Sequence, residues 1–148
     1  MEIAIIAGDR KKELMAQFCI AYCGILAHHN LYATGTTCKY IAEATGLRIE
    51  GLLSGTQGGV QQISSRISYD EIDLVLFFRD TYDVPTEAEE NDLDLLKLCD
   101  IHNVPVATNI ATAEILVRAL DRGDLDWREI VNPRSEYNRR RREKKKRL

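Results

Sequence analysis

Five short apolar runs recur along the chain, and the intervals between them carry apolar residues at helical spacing. "EIAIIA" (2–7), "LYAT" (31–34), "IEGLLS" (49–54), "IDLVLFF" (72–78) and "VPVAT" (104–108) read as strands. The fourth is apolar almost throughout, which suits a strand buried on both faces of a parallel sheet. Leu14, Met15, Phe18, Cys19, Tyr22, Ile25 and Leu26 predict a helix over about 11–27, with Asp9 as its N-cap after Gly8. Further helices are predicted over 37–45, 60–68, about 89–101 and 111–120, the last stopped by Gly123, and "DLDWREI" reads as one more short helix. Strands separated by helix-length segments imply repeated βαβ units. The expectation is a single three-layer α/β domain with a mostly five-stranded parallel sheet.

That architecture says where a ligand sits, because open α/β sheets bind beyond the carboxyl ends of their strands. The strand-ending segments here are Gly8-Asp9, Thr34-Gly35-Thr36-Thr37, Ser54-Gly55, Arg79-Asp80 and Thr108-Asn109. "TGTT" and "SGTQGG" each set glycine beside hydroxyls just before a helix. Glycine lets backbone N–H groups approach an anion, the helix start adds unpaired donors with a favourable dipole, and hydroxyls donate as well. Either loop alone reads better as a capped turn; both on one edge, with Lys12 nearby, point to phosphate or another small anion. Neither matches the nucleotide-binding loops GxxxxGK[ST] or GxGxxG.

Composition narrows the setting. Of 148 residues, 45% are hydrophobic and 29% charged, and no apolar run approaches a membrane span. "MEIAIIAGDRKKEL" lacks the pattern of a secretory signal, so a cytoplasmic protein is expected. Cys19, Cys23, Cys38 and Cys99 show no CxxC spacing and form no cluster with His28, His29 and His102, so neither a metal nor a disulfide is expected. The net charge of −3 conceals an asymmetry: in residues 134–148 nine Lys/Arg and two acids give +7, leaving 11 basic and 21 acidic residues, or −10, for 1–133. Residues 1–133 therefore read as the domain and 134–148 as a solvated, flexible basic tail. The tail lacks interleaved aromatics, which makes a solvated extension the better reading than a nucleic-acid contact.

"LYATGTT", "ATGL", "LLSGTQGG", "IDLVLFFRD", "CDIHNVPVATNIATAE" and "LDRGDLDWREIV" together, in this order, resemble the methylglyoxal synthase family over nearly all of residues 1–132. The resemblance implies a flavodoxin-like or Rossmann-like domain, usually a homohexamer, that converts dihydroxyacetone phosphate to methylglyoxal and inorganic phosphate with no metal or organic cofactor. It places the phosphate cradle on Lys12, Thr34, Gly35, Thr36, Thr37, Ser54 and Gly55. Asp9 and Asp80 match family aspartates. The acid–base positions differ: Val60 stands where the family loop carries its proposed base aspartate, and Gly8 and Thr86 stand at two histidine positions. Glu89 replaces an aspartate, and Thr81 follows Asp80 where a proline is usual. Two readings follow: an enzyme whose proton transfer falls to another carboxylate, among Asp9, Asp80, Glu87 and Glu89, or a non-catalytic module that binds phosphate or a phosphorylated ligand. Arg79 reads either as an anion-binding group or as a surface ion-pair partner.

Overall fold

Strands β1 (Glu2–Ala7) and β4 (Leu74–Phe78) are buried along their whole length and pair with each other in parallel, from Ile3 beside Leu74 to Ala7 beside Phe78. Around this centre the sheet runs in the order β3-β2-β1-β4-β5, with β2 (Asn30–Thr34), β3 (Ile49–Leu52) and β5 (Val106–Ala107), and every pairing is parallel. The structure is a computed structural model that describes residues 1–81 and 87–148. The expected five-stranded α/β architecture is therefore observed, with shorter third and fifth strands than the apolar runs suggested. The third stops at Leu52 because the chain then turns, the Leu53 carbonyl accepting the Gly35 N–H at 3.1 Å instead of continuing the ladder.

Side-chain alternation along the strands builds the three layers. Ile3, Ile5, Leu74, Leu76 and Phe78 pack with Met15 and Phe18 of α1 (Lys12–Ala21), Ile41 of α3 (Gly35–Thr45) and Val117 of α6 (Ile110–Asp121). Ala4, Ile6, Val75 and Phe77 face the other way, onto Val60, Ile63 and Ile67 of α4 (Gly59–Ser68) and Leu95 and Cys99 of α5 (Glu87–His102). Each fully buried side chain of this size contributes about 1.5–3 kcal/mol. Two details at the first helix differ from expectation. It is interrupted at Tyr22, so that α2 (Cys23–Leu26) is separate, and Asp9 is not the cap. Gly8 holds the N-cap position, its N–H committed to the Phe78 carbonyl at 2.9 Å, while Asp9 opens a 3-10 turn and its side chain stays 96% exposed.

At the amino end of the sheet the chain is clamped by an ion pair that the sequence pattern did not single out. Arg128, in α7 (Arg128–Val131), is fully buried. Its Nε donates to Asp73 Oδ1 at 3.2 Å, and its other nitrogens donate to the carbonyls of Ile72, His102 and Asn103. Asp73 also accepts from the Glu2 N–H at 2.8 Å and from Asn132 Nδ2 at 3.0 Å. One guanidinium thus ties β1, the entry to β4, the turn after α5 and the C-terminal segment together. The expected flexible tail is a helix, α8 (Glu136–Lys146), because Ser135 caps it and Asn138 Nδ2 donates to the carbonyls of Glu129, Ile130 and Asn132. It buries no residue of its own, so it stays charged all round.

Removing Arg128 leaves the Asp73 carboxylate buried without its counter-charge. Arg128→Ala is expected to lower unfolding free energy by about 3–5 kcal/mol. Urea unfolding followed by circular dichroism measures it, and a loss below about 1 kcal/mol would show that water replaces the clamp.

Candidate functional site

The strand ends expected to converge do so. A cavity of about 440 Å³ opens at the carboxyl edge of β1, β2, β3 and β4, lined by Gly8, Asp9, Lys12, Thr34, Thr36, Ser54, Gly55, Asp80, Glu87, Asn91 and Asp92, with Ile6, Val60 and Phe77 as an apolar wall. Its floor is built by the hydroxyls of the second strand end. Thr34 Oγ1 donates to Thr37 Oγ1 at 3.2 Å, and Lys12 Nζ lies 3.4 Å from the same oxygen while donating to the Ala7 carbonyl at 2.7 Å. Lys12 is only 12% exposed, which limits screening of its charge by water, and its carboxylate neighbour Asp9 lies 3.7 Å away on the solvent side. The cation is thereby held at a fixed point beside the first turn of α3, whose unpaired N–H groups add positive potential.

The third strand end reaches the cavity because two glycines let it. Gly58 has a φ of +103°, a left-handed conformation that side chains rarely adopt, and the Gly59 N–H donates to the Ser54 carbonyl at 2.9 Å. A Cβ on Gly59 would lie 2.0 Å from the Leu53 carbonyl oxygen. Gln62 fixes the same turn by accepting the Leu53 N–H at 2.8 Å. Ser54 and Gly55 are thus presented to the cavity by a loop folded back on itself. Of the expected cradle, Lys12, Thr34, Thr36, Ser54 and Gly55 line the cavity; Thr37 lies buried behind it as a partner of Lys12 and Thr34, and Gly35 sits against the Leu52 carbonyl.

The carboxylates are distributed differently from expectation. Asp80 is 92% buried at the cavity's inner end, where Oδ2 accepts the Arg10 N–H at 3.4 Å and Oδ1 has no hydrogen-bond partner among the described residues. Asp9 lies at the solvent rim. Glu89 is not in this cavity but in a neighbouring one of about 540 Å³, with Lys11, Arg79 and Asp80. Thr86 lies outside the described residues. α5 brings two acids to the site, Glu87 and Asp92, and the sequence reading named only the first. The acidic run "EAEENDLD" offers several registers, yet Leu95 and Cys99 are the buried positions of that helix, and Asp92 precedes them by three and seven residues on the same face. Burial pushes the Asp92 carboxyl up to about 6, with Glu89 and Asp80 adding repulsion and Arg79 opposing it.

Val60 is 6% exposed and forms part of the second core cluster as well as the cavity wall. Gly8 has a steric reason: a Cβ there would lie 2.5 Å from Asp80 Cγ. The space of a side chain at position 8 is filled by the Asp80 carboxylate. Among the described residues no three His, Cys, Asp or Glu side chains are grouped to hold a metal ion, and no helix is long and apolar enough to cross a membrane. Gly8→Ala is expected to displace the Asp80 carboxylate and lower stability by about 1–3 kcal/mol, as overpacking does. Chemical denaturation of the variant checks this; an unchanged midpoint would mean that Asp80 moves aside freely.

The comparisons agree with this arrangement. The family model described as MGS-like domain matches residues 16–108. A methylglyoxal synthase of Caldicellulosiruptor saccharolyticus is 58% identical over 142 residues, covering 94% of this chain and 98% of that protein. One from Alkaliphilus metalliredigens is 53% identical over 135 residues, covering 90% and 99%. The crystal structure of methylglyoxal synthase from Elizabethkingia anophelis NUHP1 superposes with a TM-score of 0.69 at 36% identity, covering 78% of this chain and 76% of that one. An all-parallel sheet ending in a glycine-and-hydroxyl cradle, with this extent of identity along it, places the chain in the methylglyoxal synthase family.

Proposed function

We propose that the protein is a methylglyoxal synthase: it binds dihydroxyacetone phosphate in the strand-end cavity and releases methylglyoxal and inorganic phosphate, with no metal or organic cofactor. The observation that carries this reading is the presence, in one cavity, of the shielded Lys12 cation, hydroxyl and glycine donors, the buried Asp80 and the half-buried Asp92. Lys12, Thr34, Thr36, Ser54 and Gly55 supply donors for a phosphate dianion, and their charge stabilises the phosphate as it departs. The reaction also needs a base for a carbon-bound proton, and the cavity holds Asp92, whose carboxyl is pushed up to about 6 by burial. Val60 favours a second reading, a phosphate-ligand-binding module without turnover, since a valine takes no proton.

The quaternary and cellular settings belong to the same proposal. Ile20, Ile101, Ile115 and Ile130 are large apolar side chains more than half exposed, which supports burial between copies in a homohexamer. A cytoplasmic location fits the four free thiols. The basic α8 helix is a solvated surface, with nucleic-acid contact the lesser alternative.

The test is methylglyoxal release from dihydroxyacetone phosphate by the purified protein, with phosphate affinity measured by calorimetry. The expected result is turnover and phosphate binding, with turnover falling at least about 100-fold and affinity at least about 10-fold in a Lys12→Ala, Ser54→Ala variant. Phosphate binding without turnover would select the module. Light scattering on the same sample is expected to give six chain masses, and a monomer would remove the hexamer.

A further inference from the structure

Proton transfer in this reaction requires a carboxylate that is ionised at neutral pH yet more basic than one in water, and that shares the cavity with the phosphate cradle. Three of the acids that line it are less suitably placed. Asp9 is almost wholly in water and engaged with Lys12. Glu87 is exposed at the start of α5. Asp80 fills the space beside Gly8 that a side chain there would take, with Oδ2 accepting the Arg10 N–H. Asp92 remains. It lies in the second turn of α5, partly shielded, and lines the same cavity as Lys12 and Ser54.

We infer that Asp92 is the base that removes the carbon-bound proton, so that the acid–base group has moved from the glycine loop to α5 while Val60 has become part of the apolar wall. The inference rests on the proposed reaction. Val60, Ile6 and Phe77 exclude water from one side of the cavity. The buried Asp80 oxygen without a partner among the described residues keeps a polar atom at the inner end. The groups facing Asp92 are Arg79, Glu89 and Asp80, with Lys12, Asp9 and Glu87 around the rest of the cavity. Burial strengthens it as a base, Glu89 and Asp80 add to this, and Arg79 opposes them and keeps it ionised near neutral pH.

The C–H bond of the hydroxymethyl carbon breaks, its proton goes to the Asp92 carboxylate, and the electron pair forms the carbon–carbon double bond of an enediolate whose charge rests on the former carbonyl oxygen. The hydroxyl proton on the terminal carbon passes to that oxygen. A carbonyl then forms at the terminal carbon, the double bond shifts, and the bond from carbon to the phosphate oxygen breaks with its electron pair leaving on phosphate. Asp92 returns its proton to the departing phosphate, held by Lys12 and Ser54. The enol product becomes methylglyoxal by losing its hydroxyl proton and gaining one at the terminal methylene.

The experiment follows two readouts on the full-length protein: exchange of the substrate's carbon-bound hydrogen with deuterated water, by proton NMR, and methylglyoxal release. Variants are Asp92→Asn, Asp80→Asn and, as a control on the exposed side of the helix, Asp94→Asn. Asp92→Asn is expected to lose both readouts by about 10²–10⁴-fold while phosphate affinity stays within about twofold. The wild type is expected to show an acid limb near pH 6 that Asp92→Asn abolishes. Because folding raises the Asp92 pKa, the folded state binds the extra proton between about pH 4 and 6. The wild type should therefore lose stability relative to Asp92→Asn as pH rises through that window, so the variant melts higher at pH 7 and the gap closes below pH 4. Exchange and release within threefold of wild type in Asp92→Asn, or a comparable loss only in Asp80→Asn, overturns the role of Asp92 and leaves the enzyme standing. Exchange without methylglyoxal release, lost in Asp92→Asn, overturns the proposed function and keeps the base. A wild type that binds phosphate but shows neither readout overturns both.

Discussion

The parallel pairing of β1 with β4 is the constraint on which the rest of this molecule depends. Both strands are buried on both faces, so their register is fixed by two layers of side chains at once. That register brings Gly8 and Asp80 side by side just beyond the sheet, with the Gly8 N–H extending the ladder by one bond to the Phe78 carbonyl. A Cβ at position 8 would have to displace the Asp80 carboxylate, which fills that space at the inner end of the cavity. Lys12 is then placed one helical turn later, where its ammonium reaches back to the Ala7 carbonyl. At the opposite end of the same strands, Arg128 holds Asp73 and the flanking carbonyls, so the centre of the sheet is anchored where the site is not.

Division of labour between the two ends has an energetic logic. The amino end carries a fully partnered buried ion pair, which specifies how the C-terminal segment docks. The carboxyl end carries a half-shielded Asp92 among like charges and a buried Asp80 oxygen without a partner among the described residues, both of which cost stability. Such local costs concentrate where a ligand supplies the missing partner. A phosphate dianion cannot partner an ionised carboxylate, so in the proposed reaction a substrate held by its phosphate at Lys12 and Ser54 would turn its carbon end toward Asp92.

Much of this was legible in the chain because local pattern and global fold agree. The continuous apolar run before Arg79 could only be a strand buried on two faces, and the glycine-hydroxyl loops had to fall on one edge once the crossovers were parallel. The family resemblance named the cradle positions, of which Lys12, Thr34, Thr36, Ser54 and Gly55 line the cavity. What sequence reasoning did not place were groups set by helix register and by long-range packing. Glu89 was chosen by its distance from Thr86 along the chain, but α5 begins at Glu87 and its buried Leu95 and Cys99 turn Asp92, not Glu89, toward the cradle. Asp9 resembled a cap, but the ladder bond made by Gly8 decides where the turn begins. Nothing in the sequence around Arg128 marks it as buried, and only the turn after α5 reveals the carbonyls it satisfies.

The account stands on the direction of the cavity, phosphate at Lys12 and the reacting carbon at Asp92. A crystal structure of the protein with a non-reactive phosphorylated analogue of the planar enediolate tests it most directly. The account predicts phosphate oxygens within hydrogen-bond distance of Lys12 Nζ and the Ser54 hydroxyl, with the analogue's carbon end against the Asp92 carboxylate. Phosphate lodged instead between Lys11 and Arg79 in the neighbouring cavity, or a carbon end turned away from Asp92, would contradict it.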